Sequence, residues 1–304
     1  NIDRGFGGGG ITEALEIAKR SGVKLHFSHF RTDENTAGEV SSRIGEIDQA
    51  ISEGVDVSLE LYPYPTGSTF PLSFFPSFAH EGGLDRLLEK LRTPSEKKLL
   101  ADYLDNDYPR PINDAIFSYV PKAPQYEGIS LDRIAKEREV SLGTAICDIL
   151  LENEGQVGYW GSPPLSVAVW DQINQDTMEF MSRPDYMIGS DSIPLGSYPH
   201  PRAYGTFPRV VGRFQRKYNT MPLEHTIQRI TDNPARRFGL KQRGRIQEGY
   251  FADIVLFDPD TINDNATYDD PKQFPTGIPF VIVNGEVAVS KEECTGTTTG
   301  RAIP

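Results

Sequence analysis

The sequence predicts an α/β fold built on parallel strands, followed by a separate β-rich tail. Three features of the 304 residues predict it. Short apolar strands alternate with amphipathic helices at the start of the chain, as in βαβ units. An excursion of about ninety residues then separates Tyr64 from the next convincing strand. After Gly239 the pattern changes to strands and turns.

The elements follow in order. "ITEALEIAKRSG" places Ile11, Leu15 and Ala18 at helical spacing and stops at Gly22. "VKLHFSHF" (23–30) reads as a strand. Residues 38–53 put Val40, Ile44, Ile47 and Ile51 on one helical face, ending at Gly54. "VDVSLELYPY" (55–64) is a second strand. The excursion, about 65–155, holds an aromatic, Pro-rich stretch and helices at 84–91 and 94–104. Thr93, Pro94 and Glu96 form a capping-box pattern for the second of these. An insertion of this size reads as a lid, or else as a structural excursion. Strands are expected again at 156–160 and at "YMIGSD" (186–191). Next come a proline-stiffened loop, "YPHPRAYGTFPR", and one helix, "PLEHTIQRITDNPARRFGL". In the β-rich tail Asn284-Gly285 signals a type I′ hairpin. The expected division is 1–240 and 241–304.

Composition excludes several classes. The net charge of −12, from 31 basic and 43 acidic residues, argues against a nucleic-acid surface. No apolar run approaches the roughly 18–20 residues of a membrane span, and no signal peptide is visible; the expectation is a cytoplasmic protein without membrane partner. Cys147 and Cys294 form neither a disulfide framework nor a metal knuckle. Cys147, in "AICDILL", reads as a buried thiol. The tetraglycine at 7–10 lacks the context of a phosphate loop. The chain opens at Asn1, without Met, in a loop-like segment, which reads as a cut.

Candidate chemistry starts at "KLHFSHFRT" (24–32). His26 and His29 are separated by an odd number of residues, so on a strand they face opposite sides. His29 lies nearest the strand's C-terminal end, where α/β barrels keep their reacting groups. Either could equally be an ordinary packed residue at this point. Asp191 ends a strand in the same way and could ligate a metal or take a proton; on spacing alone, capping the next loop is the plainer reading. His200, Arg202, Tyr204 and Arg209 share one stiff loop, suited either to a pre-organised anion site or to solvated arginines.

The segments "GSDSIPLGSYPHPRAYGTFPRVVGRF", "LEHTIQRITDNPARRFGL", "RGRIQEGYFADIVLFDPDTINDNATYDDP" and "GIPFVIVNGEVAV" closely resemble the N-acyl-D-amino-acid deacylases of the amidohydrolase superfamily. "HFSHFRT" and "ELYPYPTGST" fit the same family. The resemblance runs along nearly the whole chain and is weakest over 100–155. It implies the C-terminal part of a (β/α)8 TIM-type barrel, strands 5–8, with a β-sandwich segment at 241–304. It also implies zinc, one ion or two, and hydrolysis of N-acyl-D-amino acids. His29 falls on a metal ligand, and Asp191 on a ligand that is also the general base. Tyr62 matches the donor to the developing oxyanion. Ser68 and Arg202 match residues holding the substrate carboxylate. Arg31 stands where many relatives have Lys and is counted with His200 and Tyr204 as substrate-binding.

The family's other metal ligands, paired histidines, a cysteine and a further histidine, fall upstream of Asn1 in this resemblance. The chain would then be roughly the C-terminal two-thirds of such an enzyme. Its N-terminal half, with strands 1–4, would be a companion polypeptide. Two further readings stay open: a cyclic-amide hydrolase of hydantoinase or dihydroorotase type, and a non-catalytic piece of the same fold.

Overall fold

The structure, a computed structural model, describes residues 9–109 and 111–303. Three parallel strands form its centre: β1 (Leu25–Phe27), β2 (Val57–Leu61) and β6 (Tyr186–Ile188), with β2 in the middle. Leu25 pairs with Val57, and Leu59 with Tyr186. Helix α1 (Gly10–Ser21) precedes β1 and α2 (Val40–Ser52) joins β1 to β2. Leu15, Val40, Ile44 and Ile47 bury against Phe27, Leu59, Leu61 and Tyr186, a core completed by Met178 and Phe180 of α7 (Val167–Ser182). Helix α1 ends as its sequence dictates: Gly22 takes φ 71° and returns its N–H to the Ala18 carbonyl.

The excursion packs on itself. Between β3 (Ser68–Thr69) and β5 (Gly158–Trp160) lie α3 (Gly83–Arg92), α4 (Pro94–Asn106), β4 (Ile116–Tyr119), α5 (Leu131–Glu137) and α6 (Leu142–Glu152). They enclose a second core around Leu91, Leu100, Ile134, Ile146 and Val157. Helices α4 and α6 meet closely at Gly143, where a Cβ would stand 2.2 Å from the Ala101 carbonyl oxygen.

Several expectations are corrected. The strand at 156–160 does not join the parallel sheet. Gly158–Trp160 lies antiparallel between β3 and β4, so the parallel sheet has three strands among the described residues. Apolar content marks a strand but not the sheet it joins. The Thr93 hydroxyl donates back to Glu89 O instead of capping α4. The loop expected at 198–209 is largely helical: α8 (Arg202–Arg209) continues into a π turn, Val210–Phe214, and α9 (Gln215–Tyr218). Pro201 leads in with helical φ, His200 Nδ1 accepts the Arg202 N–H, and the helix widens after Pro208, which has no N–H to give. The following helix breaks at Thr231 into α10 (Leu223–Ile230) and α11 (Asp232–Arg237), because Pro234 suits only a first turn.

The tail forms one antiparallel sheet from β7 (Ile254–Leu256), β8 (Phe280–Val283), β9 (Glu286–Ser290) and β10 (Glu293–Cys294). Asn284 and Gly285 both have positive φ, 49° and 87°, which is the type I′ turn expected. No residue of these strands is buried, and no second sheet covers them among the described residues. No helix is long and apolar enough to cross a membrane among the described residues.

Candidate active site

The C-terminal tips of β1 and β6 carry the first two candidates. Strand β1 stops at Phe27, so His29 sits in a turn, and strand parity does not set its direction. Its backbone does: His29 has φ 45°, and Asp191, past the end of β6, also has φ 45°. Non-glycine residues hold this left-handed conformation only where their surroundings impose it, and such positions concentrate at functional sites. The two side chains feel each other. Desolvation holds the His29 imidazole below its ordinary pKa although the residue is exposed, and the Asp191 carboxylate opposes that shift. His26 is placed as a structural neighbour. Its Nδ1 lies 2.8 Å from Ser58 Oγ, and its ring meets Phe238 edge-on.

Arg202, at the start of α8, organises the other half. It is fully buried; its Nη2 pairs with Asp191 Oδ2 at 2.9 Å and donates to Ser68 O at 2.9 Å. Its guanidinium stacks 4.4 Å from the centre of the Tyr62 ring, and that of Arg31 lies 4.8 Å from the same ring. Arg31 Nη2 donates to the Tyr62 hydroxyl (3.2 Å), while Nη1 is taken by the Thr32 and Pro65 carbonyls. Arg202 Nε and Nη1 have no partner among the described residues. Beside them Gly67 leaves a slot: a Cβ there would stand 2.8 Å from the Tyr62 hydroxyl and 3.8 Å from Arg202 Nη1. Buried guanidinium donors left open beside a phenol make a site for an anionic, oxygen-rich group.

The remaining candidates are placed differently from expectation. The Ser68 hydroxyl donates to Tyr159 O, so Ser68 reaches the site through its carbonyl on Arg202. His200 is buried with both ring nitrogens engaged. Nδ1 accepts from Arg202 N and Nε2 faces Thr66 Oγ1 at 3.1 Å. Burial first, then the Arg202 charge, push its pKa well below 6.5, so the ring is neutral, with Nδ1 held by the Arg202 N–H. Tyr204 points away, its ring edge-on to Phe274. Residues two apart on a helix lie on nearly opposite sides. Arg209 is no open anion site either: it pairs with buried Asp264 at 2.9 Å, and Arg213 joins the same carboxylate.

Sequence reasoning missed Thr66, Gly67 and Tyr268. The Tyr268 hydroxyl meets Thr66 Oγ1 at 2.9 Å, tying the residues after α11 to His200. Burial raises the Tyr268 phenol to about 12, which keeps it neutral. The signal was the run "TYDDP", legible only as part of the resemblance.

Imidazole and carboxylate are fitting zinc donors, but the described residues hold no group of three or more His, Cys, Asp or Glu that could bind a metal. His29 and Asp191 would offer two donors, and a catalytic zinc takes about three from protein. Cys147 cannot help, being enclosed in the excursion's core with its thiol pushed up to about 12 by burial. Cys294 lies in the tail sheet.

Residues 158–289 match the amidohydrolase family. The chain is 31% identical over 294 residues to D-aminoacylase of Alcaligenes xylosoxydans xylosoxydans, covering 96% of itself and 51% of that protein. It is 29% identical over 276 residues to the N-acyl-D-glutamate deacylase of the same organism, covering 90% of itself and 47% of that protein. A crystal structure of D-aminoacylase superposes with TM-score 0.70 at 30% identity, over 96% of this chain and 52% of that one. The N-acyl-D-glutamate deacylase of Bordetella bronchiseptica, solved with zinc and a phosphonate mimic of the tetrahedral intermediate, gives 0.68 at 30%, over 92% and 49%. The chain spans about half the length of the curated relatives it matches, less than the two-thirds expected. By sequence along nearly its whole length and by fold, the chain is a homologue of D-aminoacylase and N-acyl-D-glutamate deacylase, and its residues 158–289 match the amidohydrolase family.

Proposed function

We propose that this chain carries one part of a zinc-dependent active site that hydrolyses N-acyl-D-amino acids to a carboxylate and a free D-amino acid. The observation that carries this reading is Arg202: a buried guanidinium with two donors unpartnered among the described residues, fixed to Asp191 through its third nitrogen. A substrate carboxylate seated on Nη1 then lies one guanidinium away from the proposed general base. That short, rigid link fixes the scissile amide relative to Asp191.

In this reading His29 and Asp191 hold zinc together with at least one donor that the described residues do not supply. Zinc held there would supply Lewis acidity and would lower the pKa of a water molecule to about 7. Asp191 takes a proton from the attacking water and passes it to the leaving amine. Tyr62, oriented by the two guanidinium groups against its ring, donates to the developing oxyanion from the edge of the Gly67 slot. Arg31 adds positive charge beside the phenol.

The same reading treats the three parallel strands as part of a (β/α)8 barrel, residues 1–240 as its domain and 241–304 as a sandwich segment. The self-packed unit within 65–155 serves as lid. Among the described residues strands β1 and β6 each have one hydrogen-bonded neighbour, and in this reading their other edges take the rest of a barrel on a companion segment. The test is turnover: purified protein with its bound metal, offered an N-acetyl-D-amino acid, its L enantiomer and a hydantoin. Release of the D-amino acid supports the reading. Preference for the hydantoin overturns it.

A further inference from the structure

Glu60 has no part in the chemistry above, yet it touches both candidate metal donors' supports. It lies on β2, the central strand of the parallel sheet, between β1 and β6. Ser28 Oγ donates to Glu60 Oε1 at 2.6 Å, and the Phe30 N–H donates to the Glu60 carbonyl at 2.8 Å. These are the two neighbours of His29, so one residue brackets the histidine from both sides. Across the sheet, Glu60 Oε2 lies where Gly189 has no side chain; a Cβ there would stand 2.1 Å away. The Gly189 N–H is fixed to Leu61 O at 3.1 Å, and Asp191 is two residues further on. His29 and Asp191 share the same left-handed φ of 45°. Neither is glycine, so something outside each residue must hold it there.

We propose that Glu60 is the positioning residue for the His29–Asp191 pair, with Gly189 as its obligatory partner. The carboxylate acts as a spacer: one oxygen pins the β1 tip through Ser28, and the other packs into the gap that Gly189 leaves at the β6 tip. His26, 4.0 Å from the carboxylate at Nε2, closes its remaining side. The chemical identity of residue 60 matters less than its length and its acceptor oxygen. Glu60→Gln preserves both, whereas Glu60→Ala removes both.

Two measurements decide this. The first needs no metal. In crystals of Glu60→Ala, residue 29 or residue 191 is expected to leave the positive-φ region, while Glu60→Gln keeps both. Retention of both by Glu60→Ala overturns the proposal. If Glu60→Ala does not fold, Gly189→Ala takes its place, with displacement of the Glu60 carboxylate and of either tip expected. The second rests on the zinc reading above and uses Zn²⁺ binding by calorimetry. Glu60→Ala and Gly189→Ala are each expected to weaken it by about 10–100-fold, the usual effect of losing a support behind a ligand. Glu60→Gln stays within about threefold of the native affinity. Adding Gly189→Ala to Glu60→Ala costs nothing further, because the collision partner is gone; fully additive losses contradict the pairing. Native protein that takes up no zinc overturns the zinc reading alone, and the crystals still decide the role of Glu60.

Discussion

Arg202 and Asp191 form an ion pair at 2.9 Å in which the guanidinium is 1% exposed and the carboxylate 36%. The pair is one-sided: a buried, immobile cation presents an accessible anion. Its other contacts, the Ser68 carbonyl and the Tyr62 ring, hold the cation whether or not Asp191 is engaged elsewhere.

Arg202→Lys keeps the charge but loses the fork. A single ammonium cannot reach Asp191 and Ser68 and still offer two open donors. Losing a charged hydrogen bond costs about 1.5–3 kcal/mol, so KM for an N-acyl-D-amino acid should rise by about 10–150-fold. The kcat should fall less. Steady-state kinetics separate the two, and an unchanged KM would show that substrate does not sit on Arg202.

Tyr62→Phe retains the stacked ring and removes only the hydroxyl that accepts from Arg31 Nη2. Stability should change by no more than about 1 kcal/mol. The kcat should drop by about 10²–10³ if the phenol stabilises the oxyanion. A variant with native kcat removes Tyr62 from the mechanism.

The pH dependence of stability follows from His200. Its folded pKa lies well below 6.5, so below pH 6.5 the unfolded chain takes up a proton that the folded protein refuses. Stability is therefore fully present above about pH 6.5 and declines on acidification, by up to about 1.4 kcal/mol per pH unit for each such group. His26 is shifted in the same direction by burial and adds to the slope. Urea melts at pH 7.5, 6 and 5 measure it, and His200→Gln should flatten it. A His200→Gln slope equal to that of the native protein contradicts the buried, neutral imidazole.

Gly143→Ala tests the excursion's own core. The added methyl would press on Ala101 O, and the Gly143 N–H to Asp105 Oδ1 contact would shift with it. Overpacking of this kind costs about 1–3 kcal/mol. The melting temperature should fall while the kinetics of the distant site stay as they are. A variant as stable as the native protein would show that α4 and α6 are not in close contact.

Much of this was legible in the sequence where local chemistry decides structure. Gly22 and Asn284-Gly285 end a helix and make a turn because of their own backbone preferences. The spacing of Val40, Ile44 and Ile47 is a property of one helix alone. Long-range choices were not legible. Nothing local in "GYW" says that Gly158–Trp160 pairs with Ser68–Thr69 and Ile116–Tyr119. The prolines around Arg202 read as a loop, yet one leads into a helix and another sits inside it, just before a π turn. That turned Tyr204 away from the site and left His200 buried behind it. The Thr66–Tyr268 contact joins residues 202 positions apart, beyond any periodicity.

The central claim is that His29 and Asp191 are working donors of a zinc amidohydrolase site. The direct measurement is zinc content and N-acetyl-D-amino acid hydrolysis for the native protein, His29→Ala and Asp191→Asn, prepared identically. The expected result is zinc and D-specific turnover in the native protein, with turnover falling by at least about 10²–10⁴ in Asp191→Asn and zinc lost from His29→Ala. Native zinc content and native turnover in both variants would contradict it.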